Sequence, residues 1–194
     1  MGVVRTVKDS GTAARFAESL GMLLQEEGGL VKENHYPYDG PGRAPSGHSY
    51  YYFRPDTPTL FHILDCDEYW AYHAGGDLEV WSVDPDGNLE IRKLGTSEGA
   101  EPCLYFRKGV AFAAKPCGPK REGTLTSLIT VPRFSGSGLK LLEPEEVIRL
   151  CPAVRAFFET GPAEKNRNGN NPGLGACCKV YHRADIPGER RPYD

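Results

Sequence analysis

Phe61-His62-Ile63-Leu64-Asp65-Cys66-Asp67-Glu68-Tyr69-Trp70-Ala71-Tyr72-His73-Ala74-Gly75-Gly76 bears on fold and chemistry together. It reads as two strands around a short acidic break. Asp65 and Asp67 suit that break, because short acidic side chains bond nearby backbone amides in turns. Successive side chains on a strand face opposite ways, so His62 and Leu64 share one face. With register kept through the turn, Glu68, Trp70 and Tyr72 join them. His73 then lies on the opposite face, as a surface or interface histidine.

Outward from this stretch, the chain continues as strands and turns. Strands are expected at Leu30 to His35, His48 to Arg54, Thr59 to Leu64, Glu68 to His73, Leu78 to Val83, Leu89 to Lys93, Cys103 to Arg107, Val110 to Ala114 and Thr124 to Val131. Asp84-Pro85-Asp86-Gly87-Asn88 is a strong hairpin turn between two of them. Many short strands with Gly/Pro turns indicate a sandwich or barrel. Helices are expected at both ends. The first is capped by Ser10 or Thr12, has an apolar face of Ala13, Phe16, Ala17, Leu20, Leu23 and Leu24, and stops at Glu26-Glu27-Gly28-Gly29. The second opens at Glu143 and presents Val147, Ile148, Leu150, Val154, Phe157 and Phe158. Residues 1–160 read as one domain. From Gly161 to Asp194 the chain turns polar and rich in Gly, Asn and Pro, the composition of an extended arm or a disordered tail.

Bulk properties narrow the function. The 194 residues carry a net charge of −3, which favours neither nucleic acid nor an anionic membrane. No apolar run approaches the roughly 20 residues that span a bilayer, and the N-terminus lacks the apolar core of a signal peptide. The expected setting is cytoplasmic. The six cysteines include no C-x-x-C pair and read as free thiols, the adjacent Cys177-Cys178 among them.

Several motifs, in order, resemble the small single-domain cupins of the cupin-5 group, a family largely without assigned function. Leu20-Gly21-Met22-Leu23-Leu24-Gln25-Glu26-Glu27-Gly28-Gly29-Leu30 is similar to the family's opening L-G-L-x-x-H-P-E-G-G-Y, with Gln25 and Glu26 in place of its His and Pro. Phe61-His62-Ile63-Leu64 and Asp67-Glu68-Tyr69-Trp70 resemble its F-H-R-L and D-E-x-W, although Ala71 stands where a His usually follows. Asp84-Pro85-Asp86-Gly87 matches its hairpin, Gly109-Val110-Ala111-Phe112-Ala113-Ala114 resembles its G-T-W-F-A-A, and Val131-Pro132-Arg133-Phe134 its V-x-P-G-F. The resemblance runs from about Leu20 to Leu150 and implies a cupin jelly-roll barrel, mainly β, with one pocket at its mouth and commonly a homodimer. The segment from Pro37 to Gly47 has no counterpart in it.

The resemblance also defines what is missing. A metal-binding cupin reads roughly G-x5-H-x-H-x3-4-E-x6-G, then G-x5-P-x-G-x2-H. His62, Glu68 and Gly75 keep their places, but Leu64 and Phe112 replace two histidines, and Arg107 replaces the proline. A metal, if present, would be held by His62 and Glu68, with a further ligand from His35, His48 or Tyr51; two protein ligands are too few for a tight catalytic site. The sequence therefore points to a cofactor-free enzyme of isomerase, epimerase, cyclase or lyase type. His62 would be the base, Glu68 the acid or the group orienting His62, and Tyr72 a proton donor. Trp70, Phe112 and one face of Tyr50 to Phe53, including Tyr51, would wall a pocket for a small organic substrate, and Lys32 would bind an anionic group if it points inward. Alternatives stay open. His62 and Glu68 could simply satisfy each other. The protein could bind or sense a ligand without turnover, or be a metal oxygenase or hydrolase with a non-standard ligand set.

Overall fold

The computed structural model describes residues 11–35, 37–117 and 122–159. Two antiparallel sheets face each other. The six-stranded sheet has the order β1 (Leu23–Leu24), β2 (Leu30–Asn34), β3 (Gly47–Phe53), β10 (Thr124–Val131), β5 (Asp67–Gly75), β8 (Cys103–Phe106). The five-stranded sheet has the order β11 (Leu139–Leu141), β4 (His62–Leu64), β9 (Ala111–Cys117), β6 (Asp77–Val83), β7 (Leu89–Leu94). This is the expected jelly roll. All nine expected strands are present, with β1 and β11 in addition. The residues from Gly161 onward, Cys177-Cys178 among them, lie outside the described part. Cys66, Cys103, Cys117 and Cys151 are free thiols.

Strand alternation builds the interior. From the six-stranded sheet Val31, Tyr51, Phe53, Trp70, Leu104 and Phe106 point inward, and from the other Leu64, Leu78, Val80, Phe112 and Ala114 meet them. Trp70 touches three aromatics from three strands, with ring centroids 4.8 Å from Phe53, 5.0 Å from Phe106 and 5.6 Å from Phe112. Burying such rings is the main stabilising term, roughly 25 cal/mol per Å² of apolar surface removed from water.

A helix covers part of each outer face. Helix α1 (Thr12–Ser19) lays Ala13, Ala14 and Ala17 against Tyr52 and Leu125. It ends earlier than the sequence suggested. Gly21 takes φ +62, its amide bonds the Glu18 carbonyl, and the Met22 amide reaches back to Ala17. This paired closure is the usual way a left-handed glycine stops a helix. Leu23 and Leu24 therefore become an exposed edge strand, and Phe16 also faces solvent. Helix α2 (Pro144–Leu150) starts as expected, with a reciprocal cap between Glu143 and Glu146 and Pro144 in the first turn. With the short helix α3 (Arg155–Glu159) it packs Val147, Val154 and Phe157 on Phe61, Trp81 and Ala113, while Leu150 stays exposed.

Candidate active site

Between the sheets lies a cavity whose floor joins residues from four parts of the chain. The turn after β1 supplies Gln25 and Glu27, β4 supplies His62, β5 supplies Glu68 and Trp70, and β3 supplies Tyr51 and Phe53. Ser49, Leu128 and Phe134 are the half-buried members of the lining and mark its mouth.

The turn at 25–29 is held firmly. The Gln25 amide bonds the Gly29 carbonyl at 2.9 Å, and the Gly28 amide returns to Gln25 at 3.0 Å. The Glu27 carbonyl accepts from Leu60 at 2.9 Å, tying the turn to the approach of β4. Gly29 donates to the Tyr51 hydroxyl at 3.0 Å. A Cβ at Gly29 would lie 2.1 Å from the Tyr51 ring, so only glycine allows this approach.

Three ionisable groups are buried here. Glu68 is 5% exposed, and its Oε2 accepts from the Trp70 indole at 2.7 Å. Burial pushes its pKa up to about 8, the Trp70 bond opposing and the Glu27 charge adding to the rise. Glu27 is 6% exposed, and its Oε2 has no hydrogen-bond partner among the described residues. Burial lifts this carboxyl to about 7, against a bond from its own backbone and with a further push from Glu26. His62 is 5% exposed, and Nδ1 donates to the Leu60 carbonyl at 3.0 Å. Burial holds its pKa down to about 4 in spite of that bond, so the ring is neutral near pH 7 with its Nε2 lone pair available. The site thus offers a protonated carboxyl, a carboxyl that is half ionised near neutrality, and a neutral imidazole.

His62, Glu68, Trp70 and Tyr51 come together as the alternation implied. Three other expected residues do not reach the cavity. Lys32 alternates to the outer face of the six-stranded sheet, where Nζ donates to the Leu20 carbonyl at 2.9 Å. Tyr72 lies beyond the lining and donates to the Gly75 carbonyl at 2.7 Å. Phe112 is 1% exposed and sits behind His62, with ring centroids 4.4 Å apart, so it backs the imidazole without facing the cavity. His62 and Glu68 do not satisfy each other, since each has its partner elsewhere. His73 faces outward, with Nε2 2.6 Å from the Ser127 hydroxyl. Glu27 and Gln25 are the residues that sequence reasoning missed. Their signal was the opening motif itself, whose Glu-Gly-Gly is kept at Glu27, Gly28 and Gly29.

The donor set does not fit a metal. Leu64 and Phe112 are apolar, and among the described residues no group of three His, Cys, Asp or Glu side chains is placed to hold an ion.

A jelly roll with a polar cavity between its sheets is a cupin architecture, and the family match agrees with it. The chain belongs to Cupin_5, described as "Cupin superfamily (DUF985)", whose sequence profile matches residues 14–142. The fold is also that of a Shewanella oneidensis protein (TM-score 0.68, 24% identity, covering 76% of this chain and 94% of the other). A hypothetical protein from Leishmania major is comparable, with TM-score 0.66 and 22% identity over 75% of this chain and 95% of its own. Oxalate decarboxylase from Bacillus subtilis aligns with TM-score 0.49 and 20% identity, over 76% of this chain and 37% of that one. No curated protein matches the chain.

Proposed function

We propose that this cupin is a small-molecule enzyme of isomerase, epimerase, cyclase or lyase type, working by acid/base chemistry between its sheets. The observation that carries this is the burial of Glu27 and Glu68 in one cavity with their pKa values spread around neutrality. Two carboxyls in different protonation states can remove a proton at one atom and deliver one at another. Glu27, ionised in half the molecules near pH 7, is the base. Glu68, still protonated there, is the acid. Neutral His62 accepts a hydrogen bond from the substrate through Nε2 and orients it, a change from its expected role as base. Tyr51, Phe53 and Trp70 exclude water and hold an organic skeleton.

The homodimer implied by the family resemblance is part of this proposal. The outer face of the six-stranded sheet exposes Tyr69, Tyr105 and Ile129, and light scattering of the purified chain tests it.

Incubation with candidate carbonyl and hydroxy metabolites in D2O, followed by mass spectrometry, tests the chemistry. Deuterium entering a carbon position, lost in Glu68→Gln and in Glu27→Gln, is the expected result. Recovery of bound but unlabelled, unchanged ligand would instead support a binding or sensing role in a cytoplasmic setting.

A further inference from the structure

The polar groups of the cavity are unequally matched. Among the described residues its lining contains no lysine or arginine, while Glu27 and His62 present acceptor atoms. Arg133, beside the lining residue Phe134, is engaged by Glu33, to which Nε donates at 2.9 Å. Arg43 at the same end is engaged by Asp65 at 2.8 Å. Both guanidinium groups are already engaged by carboxylates outside the lining. One acceptor is conspicuous, because Glu27 Oε2 is buried and has no partner among the described residues. A buried carboxylate oxygen without a donor is destabilising, so a ligand that donates to it gains what the apo protein forgoes. Around it stand aromatic rings, with Tyr51 and Phe53 centroids 4.6 Å apart and Phe53 and Trp70 4.8 Å apart. Such walls stabilise a cation over their faces as well as an apolar stem.

We infer that the cavity takes a small organic cation with N–H donors, an ammonium or amidinium head on a short apolar stem, whose nitrogen bonds Glu27 Oε2. The inference deepens the proposed function by naming a substrate class for the same cavity. It excludes the small dicarboxylates and phosphate esters that a basic pocket would select.

Three probes of similar size decide it: n-butylammonium, n-butanol and butyrate, titrated at matched ionic strength into ¹⁵N-labelled protein. The chain has two tryptophans, so two indole signals are seen, and Trp70→Phe identifies the one beside the cavity. Trp81 lies on the outer face of the five-stranded sheet and reports whether the fold is intact. Butylammonium is expected to shift the Trp70 signal saturably and to bind about tenfold tighter than butanol, with butyrate weakest. Glu27→Gln should remove about that tenfold preference while the Trp81 signal stays in place. Saturation by butyrate in preference to butylammonium, equal binding of all three probes, or no saturable shift with butylammonium would each overturn the inference. The deuterium experiment is independent of this one, so cation selectivity without exchange would retain the ligand class and remove the enzyme.

Discussion

Trp70 donates its indole N–H to Glu68 Oε2 at 2.7 Å from two positions along the same strand. Both side chains point into the interior, and the indole opposes the burial that raises Glu68. Trp70→Phe keeps an aromatic ring against Phe53, Phe106 and Phe112 but removes this donor. A hydrogen bond to a charged group contributes roughly 1.5–3 kcal/mol, so the Glu68 pKa should rise by about one unit or more. A ¹³C titration of the Glu68 carboxyl checks this, and an unchanged or lower value would contradict it.

Activity should follow a narrow bell in pH. Glu27 must be ionised, so the rate rises through about 7; Glu68 must be protonated, so it falls through about 8. The two limbs belong to the interacting pair. Glu68→Gln should lower turnover by about 10² to 10⁴ and remove the alkaline limb. Glu27→Gln should act similarly and remove the acid limb. A rate that stays flat from acid to alkaline pH would oppose these roles.

Stability should peak on the acid side of neutrality. Glu27 and Glu68 have folded pKa values above the ordinary 4.5, so their contribution is complete below 4.5 and is lost as pH rises through about 7 and 8. His62 has a folded value below its ordinary 6.5, so its contribution is complete above 6.5 and is lost as pH falls toward about 4. Above about 4.5 the two carboxyls outweigh the one imidazole, so the three contributions together peak near pH 4.5. Denaturant unfolding across pH checks the shape. Glu68→Gln should unfold at higher denaturant than the parent in alkaline solution, by on the order of 2–4 kcal/mol, with little change at acid pH. A parent most stable in alkali would contradict this.

Gly29→Ala tests the turn that carries Glu27. The added Cβ would stand 2.1 Å from the Tyr51 ring and must displace either the ring or the turn. A loss of about 1–3 kcal/mol in unfolding free energy is expected, as for other overpacked positions. Gly21→Ala meets no atoms but is strained by its positive φ, so it should cost about 1 kcal/mol without disturbing the cavity.

Much of the fold was legible because alternation in the strands is a local signal. His62, Leu64, Glu68 and Trp70 face inward as the period of two demands, and the Asp84 hairpin forms with the Asp84 carboxylate accepting from the Asp86 and Asn88 amides. Alternation gives the face of a residue but not its distance from the mouth, which is why Tyr72 and Phe112 fell outside the cavity. Lys32 depended on a register the sequence does not contain. Glu27 was hidden for a different reason. Leu20, Leu23 and Leu24 continue the helical spacing of Ala13 and Ala17, so the pattern alone carries the helix on to Gly28. The helix instead stops at Gly21, and the freed residues form the hairpin that brings Glu27 over His62 and Glu68.

The central claim is that two carboxyls with near-neutral pKa values share one cavity. Its most direct test is a ¹³C titration of the glutamate side chains, with Glu27→Gln and Glu68→Gln assigning the signals. Two carboxyls titrating near 7 and 8 are expected, with the Glu68 value moving downward when Glu27 is replaced. Both titrating near 4.5 with no mutual effect would contradict the claim and the function drawn from it.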